Sequence, residues 1–105
     1  MIICLGPSLF RLSTIAKDYN LDLIGLVELV ESANSSGLLN LVKQIVEGYD
    51  QRETPEKVLE SLGEYFSNAT LPQKRLLLQM TNSIPIKKEW LGKLEPMQIV
   101  ELVRP

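Results

Sequence analysis

Apolar side chains recur every third or fourth position along most of this chain, a spacing that suits amphipathic helices. The clearest run is Leu38, Leu41, Val42, Ile45, Val46 and Tyr49, at i, i+3, i+4, i+7, i+8 and i+11. No segment alternates apolar and polar residues at period two for long enough to demand a sheet. The expected fold is therefore all-α: a compact bundle of five to six short helices.

Start and stop signals divide the chain. Ser8 can cap a first helix whose apolar stripe is Leu9, Phe10, Leu12, Ile15, Ala16 and Tyr19, with Asn20 as a left-handed stop. Asp22 caps a second, carrying Leu23, Leu26, Val27, Leu29 and Val30. Ser32 to Gly37 reads as the clearest loop. The third helix is the Leu38–Tyr49 run, followed by a polar link, Asp50 to Glu53. Thr54-Pro55 starts a fourth helix with Val58, Leu59, Leu62, Tyr65 and Phe66. The fifth runs from about Leu71 or Pro72 to Met80, and Asn82 and Pro85 end it. Ile84 to Lys93 is ambiguous and open to an extended reading. Pro96 starts a last short helix. With 105 residues, the chain fits one domain spanning 1–105.

The residues missing from the chain narrow the chemistry. It has no histidine, so the commonest acid–base residue at neutral pH is absent. Its single cysteine, Cys4, cannot close an internal disulfide, which favours a reducing, cytoplasmic setting. Met1–Leu5 is apolar but short, lacks basic residues and runs into Gly6-Pro7, so it does not read as a signal peptide. No apolar run is long enough to cross a membrane. Ser8, Ser13, Cys4 and Tyr65 are conceivable nucleophiles without an evident base, and no phosphate-binding glycine motif occurs. Glu56, Glu60 and Glu64 share one helix face at i, i+4, i+8; with Lys57 nearby they read as a solvated face laced with local ion pairs rather than a metal site. No enzymatic activity and no cofactor is expected.

Charge is distributed unevenly. Residues 1–73 hold ten acidic and five basic side chains, whereas residues 74–105 hold six basic and three acidic ones. Such an asymmetry suits two ordinary solvated faces, since screening weakens exposed charges beyond about 10 Å, or else head-to-tail self-association or a partner charged on one side. Lys87, Lys88 and Lys93 surround the sole tryptophan, Trp90. That residue has three roles open to it: a core plug, an interface anchor, or a platform for a nucleobase. The interface is expected in this C-terminal third, with Trp90, Met80 and Met97 as anchors and Lys87, Lys88 and Lys93 around them.

Two resemblances bear on function. Leu12 to Leu29 resembles the helix-turn-helix of bacterial repressors, with Asn20 at the usual glycine position. The positions that would face DNA, however, are Asp22, Leu23, Ile24, Val27 and Glu28, none of them basic. A packing hairpin is the better reading. The segments Leu21-Asp22-Leu23-Ile24-Gly25-Leu26, Leu38 to Tyr49, and Thr54-Pro55-Glu56-Lys57-Val58 together resemble phage tail assembly chaperones, in which a helical hairpin, a short link and a Thr-Pro-Glu helix start precede further small helices. The resemblance implies a helper that binds an extended partner during assembly, and it assigns no catalytic residues. The expected function is thus a non-enzymatic module that binds a protein partner or another copy through an apolar helical groove. The alternative is a nucleic-acid-binding regulator using the hairpin at 12–31 and the basic C-terminal third.

Overall fold

The computed structural model describes residues 8–103. Eight helices follow one another: α1 (Leu9–Tyr19), α2 (Leu23–Glu31), α3 (Ala33–Ser36), α4 (Leu39–Asp50), α5 (Pro55–Asn68), α6 (Leu71–Met80), α7 (Ile84–Gly92) and α8 (Pro96–Val103). Five of them begin where a short polar side chain accepts a free backbone N–H. The acceptors are Ser8, Asp22, Thr54, Thr70 and Ser83, and the donors are the amides of Arg11, Gly25, Lys57, Gln73 and Ile86. At α6 the bond is reciprocal, since the Gln73 carboxamide accepts from the Thr70 N–H at 2.9 Å. Asn20 ends α1 in the left-handed region at φ 57°, as its sequence position suggests.

The architecture is all-helical, with two more helices than the spacing of apolar residues indicated. The expected loop at Ser32–Gly37 contains the single turn α3. Its serines bond back along the chain: the Ser32 hydroxyl donates to the Glu28 carbonyl and the Ser35 hydroxyl to that of Ser32. Gly37, at φ 79°, then stops the turn. The ambiguous stretch Ile84 to Lys93 is mostly helix, not extended chain. Pro85, read as a terminator, lies in the first turn of α7, where its missing N–H costs no hydrogen bond. The expectations for Met1–Leu5 and Cys4 fall outside the described residues.

Two chain reversals lock the halves together. The turn between α1 and α2 pairs antiparallel with the turn between α6 and α7, through a bridge at Leu21 and Thr81. The Asp22 N–H donates to the Met80 carbonyl at 2.6 Å, and the Asn82 N–H to the Asn20 carbonyl at 3.3 Å. Both bridge residues are buried. From this bridge α2 and α6 run against each other, making the most extensive helix contact in the fold. Gly25 permits it: a Cβ there would lie 2.5 Å from the Gln79 carbonyl oxygen and 2.8 Å from Met80 Cα.

The core is continuous. Leu12, Ile15, Ala16 and Tyr19 of α1 meet Leu26 and Leu29 of α2, Leu41 and Ile45 of α4, Val58, Leu62 and Phe66 of α5, and Leu77 and Met80 of α6. The end of α4 is tied to α1 by polar contacts. Arg11 pairs with Asp50, the Tyr19 hydroxyl donates to the Glu53 carbonyl at 3.1 Å, and the Tyr49 hydroxyl donates to Asp18 Oδ2 at 2.6 Å. The two tyrosine rings meet edge-to-face at 5.6 Å.

Two expectations follow for stability. Gly25→Ala drives a methyl into the backbone of α6 and should lower stability by about 2 kcal/mol despite alanine's better helix propensity. Gly63→Ala, whose nearest neighbour would be Trp90 Nε1 at 3.5 Å, should instead raise stability by about 0.5–1 kcal/mol. Urea denaturation of both variants checks the pair.

The second concerns alkaline pH. The hydrogen bond to Asp18, more than burial, holds the Tyr49 phenol above its ordinary pKa of 10.0. The neutral phenol is thus favoured by folding, and its contribution is present below about pH 10 and fades as pH rises through the folded-state value. The stability gap between wild type and Tyr49→Phe should accordingly narrow above about pH 10 in urea midpoints measured across that range.

Candidate partner-binding groove

α5 carries unlike faces because its apolar stripe is narrow. Val58, Leu62 and Phe66 point into the core. Glu56, Glu60 and Glu64 lie on an exposed face and span about 12 Å at the helical rise of about 1.5 Å per residue. Between the faces, Leu59 and Gly63 form a shallow apolar strip.

α7 lies alongside this strip and turns it into a groove. The attachment is made by Trp90, which is 1% exposed and stacks on Phe66 with ring centroids 4.8 Å apart and planes 18° from parallel. Ile86, Glu89 and Lys93 follow on the same side of α7 and border the groove. The floor is therefore Leu59, Gly63, Ile86 and the edge of Trp90, and the rim is Glu56, Glu60, Glu64 and Glu89, with Lys93 at one end. Among the described residues none of the four rim carboxylates makes an ion pair or a side-chain hydrogen bond. The local pairing expected of Lys57 with Glu60 and Glu64 does not form. Lys57 instead lines a second groove, between α4 and α5, whose rim mixes Gln44, Glu47, Gln51 and Ser61.

A row of like charges at i, i+4, i+8 is mildly unfavourable within a helix. Here it flanks an apolar strip, and Lys93 at one end of the rim makes no ion pair with it. Chemically, such a channel suits a helix with an apolar edge and cationic flanks.

The expected anchors are redistributed by the fold. Trp90 and Met80 are fully buried, Met80 at 0% exposure beneath the contact of α6 with α2. Neither side chain can serve as an exposed anchor: the large apolar residues of the C-terminal third are needed to close the core of a small chain. Met97 is 82% exposed on α8, with Val100 one turn on. Lys87 and Lys88 lie on the side of α7 turned away from the groove, Lys87 half-buried and Lys88 exposed. Of the three lysines only Lys93 shares the groove with Trp90. The acidic rim and apolar strip form a candidate site that reading along the chain missed. Its signal was the glutamate row with Leu59 and Gly63 beside it.

Lys74 shows how a basic residue can be spent internally. It is 8% exposed, and its ammonium donates to the carbonyls of Phe66 and Ala69, both at 2.8 Å, while lying 5.0 Å from the centre of the Phe66 ring. It thus caps the negative end of α5. Arg75 reaches the Glu101 carbonyl of α8 at 2.8 Å.

The helix-turn-helix positions are similarly committed. α2 is gripped by α1, α6, α3 and α4, and its exposed side carries Ile24, Glu28 and Glu31. Among the described residues no three Asp, Glu or Cys side chains gather into a metal-ion shell, and no helix is long and apolar enough to cross a membrane. Compared with known proteins, the chain matches no protein-family model, no curated sequence and no solved structure.

Because Trp90 is the one buried residue of α7, Trp90→Ala should cost about 3–5 kcal/mol of folding stability. The expected result is a large fall in the urea midpoint. A variant as stable as wild type, with helicity intact, would show that Trp90 does not hold α7 in place.

Proposed function

We propose that this chain is a non-enzymatic protein-binding module that receives a basic amphipathic helix in the groove between α5 and α7. The observation that carries the reading is the pairing of an apolar floor with four rim carboxylates that have no partner among the described residues. Desolvating Leu59 and Ile86 supplies affinity, and the glutamates select cationic flanks and orient the incoming helix. Met97 and Val100 on α8 add exposed apolar surface. The reading accords with the assembly-helper role implied by the resemblance to phage tail assembly chaperones, and with a cytoplasmic setting. It uses no cofactor and no catalytic residue.

The nucleic-acid alternative has less in its favour. Lys74 is buried and engaged, and Lys87 and Lys88 do not line the groove that Trp90 borders. The exposed side of α2 would set Glu28 and Glu31 against phosphate.

Trp90 is the only tryptophan and borders the groove, so its fluorescence reports occupancy. A synthetic amphipathic helix with leucines on one edge and lysines beside them should shift the emission saturably. Glu60→Lys with Glu64→Lys should weaken that binding at least about tenfold, or about 1.4 kcal/mol, and added salt should weaken it in wild type. A peptide with the same leucines but glutamates in place of lysines should not bind. Equal binding of both peptides, or no effect of the double substitution, would refute the assignment of the groove.

A further inference from the structure

We infer that the groove's occupant is the outer face of α7 from a second copy of this chain, so that copies join head to tail. The inference rests on the groove being a helix-binding site and adds the identity of the helix. Successive helical residues turn by about 100°, so Ile84, Lys87, Lys88 and Leu91, at i, i+3, i+4 and i+7, share one side of α7. That side is opposite to the one bearing Ile86, Glu89 and Lys93. Ile84 is 66% exposed, Lys88 is exposed, and Lys87 and Leu91 are half-exposed. Neither lysine makes an ion pair or a side-chain hydrogen bond among the described residues. An apolar edge flanked by cations is the chemistry that the acidic, apolar-floored groove lacks.

The geometry also sets the kind of assembly. The groove and the outer face lie on opposite sides of the same helix. Two copies related by a two-fold axis cannot satisfy both contacts at once. Each junction leaves one free groove and one free outer face, so association continues into a ring or a filament. A single helix in a shallow groove buries less than the roughly 1,600 Å² of a standard stable interface, so each junction is weak and depends on its charges.

Light scattering and sedimentation of the full chain test this. From about 1 μM to about 1 mM at low salt, the average mass should climb beyond the 11.8 kDa monomer, and about 0.5 M salt should return it to monomer. A groove variant, Glu60→Lys with Glu64→Lys, and a face variant, Ile84→Ser with Lys87→Gln and Lys88→Gln, should each be monomeric with wild-type helicity. Mixed together, they retain one intact groove and one intact outer face. They should form a 1:1 pair of twice the monomer mass and nothing larger. Wild type that stays monomeric throughout, or variants that associate as wild type does, would overturn the proposal. If wild type is monomeric but the basic peptide still shifts Trp90 emission, only the second-copy occupant fails; if the peptide is inert too, the groove reading fails with it.

Discussion

The approach of α2 to α6 at Gly25 is the constraint on which the remaining helices depend. The backbone bridge from Asn20–Asp22 to Met80–Asn82 sets the register, and the missing side chain at Gly25 lets the two helices close to backbone contact. Once α6 is fixed, Leu77 and Met80 complete the core begun by α1 and α2. Lys74, on the same helix, reaches the last carbonyls of α5 and fixes where that helix ends. α8 then packs on α6, with Leu102 buried. A buried ammonium without a carboxylate is ordinarily costly. Here two carbonyls, the negative end of α5 and the Phe66 ring share the compensation.

Helix starts were legible because they are local. Ser8, Asp22 and Thr54 each take an N–H three residues on, and the chain announces them by residue type alone. The failure at α7 is instructive for the same reason. Thr70-Leu71-Pro72-Gln73 and Ser83-Ile84-Pro85-Ile86 share one register: a hydroxyl cap, one residue, proline, then the amide that is capped. Reading the first as a start and the second as a stop treated proline as a breaker, when its offset from the hydroxyl decides its role. α3 was missed for a different reason. One turn carries no periodicity, and its serines look like loop residues until their bonds back to Glu28 and Ser32 are seen.

The site was less legible because it depends on pairs of helices. Sequence proximity grouped Lys87, Lys88, Trp90 and Lys93 into one patch, but a helix sends neighbours about 100° apart: Trp90 and Lys93 line the groove while Lys88 turns out to the surface. The glutamate row was visible, yet only the placement of α7 shows that it borders an apolar strip and that Lys57 turns to another groove. Charge asymmetry between the two parts of the chain was also visible. It did not tell that Lys74 belongs to the interior.

The two sides of the groove are held with unequal strength, and this gives the site its character. α5 is built into the core along its length by Val58, Leu62 and Phe66. α7 has no comparably extensive contact with any helix, and its one fully buried residue is Trp90. Local opening free energies follow buried contacts, so α7 belongs to the part of the fold that opens most cheaply. A groove with one rigid wall and one lightly held wall can adjust its width to an incoming helix at little cost in core packing. The stack of Trp90 on Phe66, with Ile86 packed against the core beside it, is what seats α7. Of the roles that the sequence leaves open to Trp90, the fold shows the core plug: the ring is buried, stacks on Phe66 and places the wall of the groove.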